Sequence, residues 1–217
     1  MTFEQIQAQI VDYNRQGLKM FASSSFQSHS IVMLDIISKT DKSIPVFFVD
    51  TGFHFPETLE YKEKIADLLK LNVVNLRSIT PKNLQRDPEG NLLFTSDPDF
   101  CCFLNKTQPV EQMLDQFEVW INGVRSDQNS NRSKLNIFET TKQGTVRFHP
   151  MLDWTSSMIE SYIIENKIPR HPLELKGYQS IGCEPCTRKS IGNNERDARW
   201  FGMNKTECGL NLDLIKK

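Results

Sequence analysis

The chain has 217 residues, 38% hydrophobic and 24% charged, with 26 Lys and Arg against 27 Asp and Glu for a net charge of −1. That length suits one domain with a core large enough to fold without disulfides, and the charge balance excludes a chain that holds nucleic acid or a membrane surface by bulk electrostatics. No stretch is long and apolar enough to span a bilayer. The N-terminus lacks the basic start and apolar run of a secretory signal. The expected compartment is therefore a reducing cytoplasm, where cysteines point to metal ligation or catalysis rather than disulfides.

In chain order, residues 3–16 carry a helical period with Ile6, Ile10, Val11 and Tyr13 on one side. A short apolar run, 18–22, precedes the polar cluster "SSSFQS". Residues 30–39 are apolar on most faces, as in a buried helix. Residues 44–50, "IPVFFVD", are β-branched and aromatic and predict a strand. Pro56 and the acids that follow open a helix over 56–70, and 71–77 is again strand-like. Alternating strands and helices predict a parallel α/β sheet. Residues 78–100 are polar and rich in Asp, Pro and Gly, and predict a long loop. A helix is expected over 106–116, a strand over 117–123, a polar loop over 124–133 and a helix over 154–166 with Asp153 as its cap. Regular structure fades after 177. With no repeat or linker, the expectation is a single domain, 1–217, ending in a mobile catalytic tail over 195–217.

Cys101 and Cys102 are adjacent, Cys183 and Cys186 form a Cys-x-x-Cys pair, and Cys208 stands alone. A redox Cys-x-x-Cys opens a helix early in a βαβ unit. This pair comes late, between Gly182 and Pro185, which suits metal ligation better. Four thiolates from two distant loops can close a tetrahedral zinc site or hold a [4Fe–4S] cluster. Adjacent cysteines are awkward ligands for a single zinc, whereas a cluster has a ligand position on each iron. Cluster, zinc and unliganded thiols all remain open on spacing alone. Around Cys208, Arg196, Arg199 and Lys205 are near in sequence, and cations favour the thiolate of a candidate nucleophile.

"ASSSFQSHS", 22–30, follows a strand and enters a helix, placing Ser23, Ser24 and Ser25 where an anion would meet a helix N-terminus. It lacks the Gly-Lys-Ser/Thr ending of a Walker loop. "VDTGFHFPET", 49–58, also runs from strand to helix, and Asp50 could accept hydrogen bonds from a ribose or a base amino group. Arg125 and Arg132, after a third strand, suit phosphate or sulfate. In an open parallel sheet, ligands sit beyond the carboxyl ends of the strands.

The serine loop, "VDTGFHFPET", "CC", "GVRSDQ", "CEPC" and "KTECGL" together resemble the assimilatory adenylyl-sulfate / phosphoadenylyl-sulfate reductase family over about residues 18 to 211. The resemblance implies an adenine nucleotide α-hydrolase-like fold with a C-terminal cysteine-bearing tail. It implies a [4Fe–4S] cluster on Cys101, Cys102, Cys183 and Cys186, and Cys208 as the nucleophile that takes the sulfo group of adenosine 5′-phosphosulfate. It places the family's lysine on Lys106 and its substrate arginines on Arg125, Arg132, Arg196 and Arg199. The implied partner is thioredoxin or a glutaredoxin-like dithiol, supplied by another protein because the sequence stops shortly after Cys208. The family motif often ends in His where this chain has Asn211. "VDTGFHFPET" leans towards enzymes that accept the 3′-phosphorylated substrate, while the cluster cysteines favour adenylyl sulfate. Phosphoadenylyl-sulfate reduction, dual substrate use, an ATP-splitting enzyme on the same fold and an iron–sulfur redox sensor are the competing readings. The sequence is compatible with a homo-oligomer.

Overall fold

The computed structural model describes residues 1–190, 196–203, 205, 207–211 and 214. The remaining positions of the tail expected over 195–217 lie outside the described residues. A six-stranded sheet runs in the order β3-β2-β1-β4-β6-β5. It is built from β1 (Met20–Ser23), β2 (Val46–Val49), β3 (Val73–Leu76), β4 (Val119–Asn122), β5 (Phe138–Thr140) and β6 (Val146–Phe148). The pairs β1–β2, β2–β3, β1–β4 and β4–β6 are parallel, and β5 runs antiparallel at the edge. The parallel α/β expectation holds.

The central strands are continuous apolar runs because both faces are covered. Ala22, Val46, Phe48, Val119 and Ile121 turn towards α1 (Phe3–Arg15), α2 (Ser28–Thr40), α3 (Pro56–Leu69) and α7 (Ser156–Glu165). Their neighbours Phe21, Phe47 and Trp120 face the other way, onto Val110 and Leu114 of α6 (Gln108–Leu114) and onto Leu214. Helix α2 is buried nearly all round, with Ile31 through Ile37 at 5% exposure or less. Deleting such a side chain to alanine costs about 2–5 kcal/mol.

Four local expectations are corrected, and one pair of strands was not expected at all. Val11 faces outwards at 37% exposure, while Ile6, Ile10 and Tyr13 form the buried stripe of α1. Thr155 caps α7, its hydroxyl accepting from Met158 N, whereas the Asp153 carboxylate takes the Met1 ammonium. The span 78–100 is not one long loop but contains α4 (Leu93–Ser96) and the start of α5 (Pro98–Cys102). The Asp97 side chain caps α5 and Pro98 opens it. The helix expected from 106 therefore starts earlier, and a π turn over Phe103–Thr107 joins α5 to α6. The β5–β6 hairpin had no sequence signal, since strands of three residues with Glu139, Thr140 and Arg147 are too short and polar to alternate.

Candidate functional site

Strand order reverses between β1 and β4, and ligands of open parallel sheets bind at such a point, outside the carboxyl ends. A cleft of about 200 Å³ lies there. Its first wall is the loop leaving β1. Ser24 Oγ accepts from Phe26 N at 3.0 Å and bonds Ser30 Oγ at 3.1 Å. Phe26 takes a left-handed φ of 53°, held by full burial against Phe48. Gln27 gives α2 no side-chain cap, so the helix presents its positive end beside Ser24 and Ser25. Ser23 Oγ accepts from Trp120 Nε1 at 2.7 Å, tying this wall to β4.

The opposite wall is cationic. Lys106, Arg132, Arg147, Arg196 and Arg199 all line the cleft, together with Cys208. Glu207, 2% exposed, holds two of these cations. It accepts from Arg132 Nε at 2.7 Å and Nη2 at 3.1 Å, from Arg196 Nη2 at 3.1 Å and from Asn129 Nδ2 at 2.8 Å. It also accepts from Cys208 N at 2.8 Å and Asn211 Nδ2 at 3.2 Å. Burial opposes its charge, yet these bonds and both guanidinium charges hold its carboxyl far below the usual range. Arg199 crosses over Gly182, where an added Cβ would collide with its guanidinium, and stacks on Trp200 at 4.7 Å.

Beside the cleft is a small cavity lined by Cys101, Cys102, Cys183 and Cys186, with Lys106 and Cys183 facing both spaces. All four thiols are free, and Cys101, Cys183 and Cys186 pack in one apolar group with Phe53, Phe94, Leu93 and Leu104. The π turn aims Lys106 between cavity and cleft. Asn105 Nδ2 donates to Cys101 Sγ at 3.6 Å, and Thr51 Oγ1 lies 3.3 Å from Cys183 Sγ. Among the described residues no group of three or more His, Cys, Asp or Glu is arranged around a single metal ion. The donor set is four sulfurs around a void lined largely by apolar side chains, which fits a multinuclear iron–sulfur group better than one ion.

Burial and the neighbouring Cys183 push the Cys101 thiol up to about 11. Cys102 and Cys208 act on each other as a pair: their interaction, with burial added, drives Cys102 up, while the same interaction and the Lys106 charge drive Cys208 down against burial. Burial works against the Lys106 charge, but the surrounding sulfurs raise its pKa above the usual lysine value. A half-buried ammonium thus faces a thiol poised as a thiolate.

Of the residues singled out in the sequence, Ser23, Ser24, Ser25, Lys106, Arg132, Arg196, Arg199, Cys183 and Cys208 meet in the cleft, and Cys101, Cys102 and Cys186 in the adjoining cavity. Asp50 and Arg125 stand outside its lining. Asp50 Oδ2 takes Arg77 Nε at 2.8 Å while Oδ1 takes Gly52 N at 3.1 Å, bonds that keep its carboxyl below the usual range although burial opposes this. Arg125, 1% exposed, donates to Asp127 at 2.9 Å and Ser156 at 2.8 Å and lies 3.1 Å from His29 Nδ1. Sequence reasoning missed Arg147, Gly182, Trp120 and Glu207. A lone arginine between apolar residues in "TVRFHP" was the available signal for Arg147.

The model of the phosphoadenosine phosphosulfate reductase domain matches residues 19–189. The chain belongs to that family. It is 39% identical over 193 residues to the adenosine 5′-phosphosulfate reductase of Chelativorans sp., covering 87% of this chain and 77% of that one. It is 37% identical over 202 residues to the phosphoadenosine 5′-phosphosulfate reductase of Gloeobacter violaceus, covering 89% and 83%. Among solved structures, the phosphoadenylyl-sulfate reductase of Candida auris in a phosphate complex superposes with a TM-score of 0.66 at 23% identity, over 84% of this chain and 94% of that one. The fold is the adenine nucleotide α-hydrolase-like fold expected from the sequence. The matched family segment contains the serine loop, both cysteine pairs and Lys106, while Arg196, Arg199 and Cys208 follow it.

Proposed function

We propose that the protein reduces adenosine 5′-phosphosulfate to sulfite and AMP, with Cys208 as the nucleophile. The observation that carries this is one cleft joining the serine loop and open α2 N-terminus to Lys106, Arg199 and the Cys208 thiol. The thiolate attacks the sulfate sulfur, the bond from that sulfur to the bridging oxygen breaks, and AMP leaves with the electron pair. Cys208 is left as an S-sulfocysteine. One thiol of an external dithiol of the thioredoxin or glutaredoxin type then attacks the Cys208 sulfur, the bond to the sulfo group breaks and sulfite leaves with its electron pair. The second thiol displaces Cys208 from the mixed disulfide, and the donor is left oxidised by two electrons to its own disulfide. Attack of an anion on an anion is electrostatically opposed, and the cationic wall offsets this while stabilising charge on the departing phosphate. Cys101, Cys102, Cys183 and Cys186 would hold a [4Fe–4S] cluster whose contribution is local charge and cross-linking of the loops. Free thiols suit a reducing cytoplasm, and among the described residues no helix is long and apolar enough to cross a membrane.

The test incubates anaerobically purified protein with adenosine 5′-phosphosulfate, and separately with its 3′-phosphorylated form, without reductant. The expected result is a sulfo adduct on Cys208 from the first compound, read by intact and peptide mass and absent in Cys208→Ser. An adduct from the second alone would reassign the substrate, and none from either, in protein that retains iron and sulfide, would overturn the mechanism. Cys183→Ser is expected to lose both iron and adduct formation.

A further inference from the structure

Arg147 belongs to no motif of the sequence, yet it occupies the floor of the cleft on β6, beside β4. It is 1% exposed, and its guanidinium lies 4.4 Å from the centre of the Trp120 ring. Trp120 in turn donates to Ser23. On the other side, Arg147 Nη2 donates to Asn211 Oδ1 at 2.6 Å. Its Nε and Nη1 have no partner among the described residues, so Asn211 is the acceptor that fixes this buried charge. The Asn211 amide group is used at both ends, since Nδ2 donates to Glu207 Oε1 at 3.2 Å. The Asn211 backbone N closes a turn on Cys208 O at 2.9 Å. One side chain therefore joins the floor of the sheet to the carboxylate beside the thiol.

Three neighbouring strands thus carry a continuous chain of contacts from the serine loop on β1, through Trp120 on β4 and Arg147 on β6, to the turn that bears Cys208. We propose that the Arg147–Asn211 bond seats the Cys208 turn against the sheet, making these two residues positioning residues for the thiol. A side chain at 211 must accept from a guanidinium and donate to a carboxylate at once, and an amide carries both functions in any protonation state. An arginine at 147 and an asparagine at 211 are therefore matched to each other. The catalytic arm of this inference rests on the reductase reading, but the seating of the thiol does not.

The experiment measures the alkylation rate of Cys208 by iodoacetamide, by peptide mass, in anaerobic holoprotein of the wild type, Asn211→Ala, Arg147→Met and the double variant. Each single change is expected to raise that rate about tenfold, as loss of a hydrogen bond to a charged group would. The double variant should be no faster than either single one, because both remove the same bond. In Asn211→Ala, Cys208 sulfonation by adenosine 5′-phosphosulfate should slow by a similar factor while AMP affinity stays within about twofold, whereas Arg147→Met, which also removes a cation of the cleft, should weaken AMP binding as well. A general loss of folding would weaken AMP binding in Asn211→Ala too. Wild-type alkylation in Asn211→Ala, or a double variant equal to the product of the singles, overturns the proposal. Should Arg147→Met fail to fold, Asn211→Ala against wild type decides. Absence of any adduct in wild type would remove the reductase reading and leave the alkylation result standing.

Discussion

The serine wall of the cleft comes from residues 23–30, a strand end and one helix start, held by short hydroxyl contacts. The arginine wall joins Arg132 to Glu207 across 75 positions, and adds Arg196 from a third segment. The first is made by local backbone geometry that a few neutral hydrogen bonds support. The second is a set of charges in which the buried Arg132 and its neighbour Arg196 share the one carboxylate of Glu207. Removing a part should therefore have very different consequences on the two sides.

Glu207→Ala is the harshest way to break that contrast. It leaves Arg132 and Arg196 facing one another, with Asn129, Asn211 and the Cys208 N–H deprived of their shared acceptor. A buried pair broken by loss of one partner costs about 3–5 kcal/mol. Ser30→Ala on the serine wall removes one neutral hydroxyl and should cost about 1 kcal/mol. Urea denaturation of the two variants checks both figures, and equal losses would erase the distinction between the walls.

Low pH attacks the charged wall and its support together. His149 is fully buried behind Arg147, with Nδ1 2.6 Å from Asn122 Oδ1. Burial first, and the Arg147 charge second, push its pKa down to about 4, against the pull of Glu139. Between the ordinary histidine value near 6.5 and about 4, the unfolded chain binds a proton that the folded one refuses. Stability therefore falls as pH falls through that window, by about 3 kcal/mol at most from this residue. Buried His171, also pushed down to about 4 by burial, acts in the same sense. Glu207 adds a separate loss: its stabilisation is complete above the ordinary carboxyl range and declines as pH drops below it. Thermal unfolding scanned from pH 7 to 4 should show a falling midpoint, with the slope between pH 6.5 and 5 reduced in His149→Gln. An unchanged slope would mean that His149 is protonated in the fold.

The same contrast governs what could be read from the sequence. Strands β1, β2 and β4 and helix α2 were visible because they are nearly uniformly apolar, and the serine loop because it lies between a strand and a helix. The cysteines and Lys106 were visible as motifs. Arg147 and Glu207 were not singled out, because their meaning lies in a partner 64 or 75 positions away rather than in their neighbours. Asp50 had the right position for a ribose contact, at the end of β2. Its side chain instead completes a turn on Gly52 and meets Arg77, a residue whose role no local pattern announces.

That last pair gives the smallest expected effect and the finest test of the serine side. Arg77 is 72% exposed, and its bond to Asp50 reaches 2.7 Å at Nη2. Solvent-exposed pairs contribute between about 0 and 1 kcal/mol. In Arg77→Ala, Asp50 keeps its bond from Gly52 N, so the turn entering α3 should persist. The unfolding midpoint should shift by no more than about 3 °C, and AMP affinity, measured by calorimetry, should stay within about twofold because Asp50 lies outside the cleft lining. A tenfold change in affinity in either direction would mean that Asp50, once released from Arg77, turns into the cleft and meets the nucleotide.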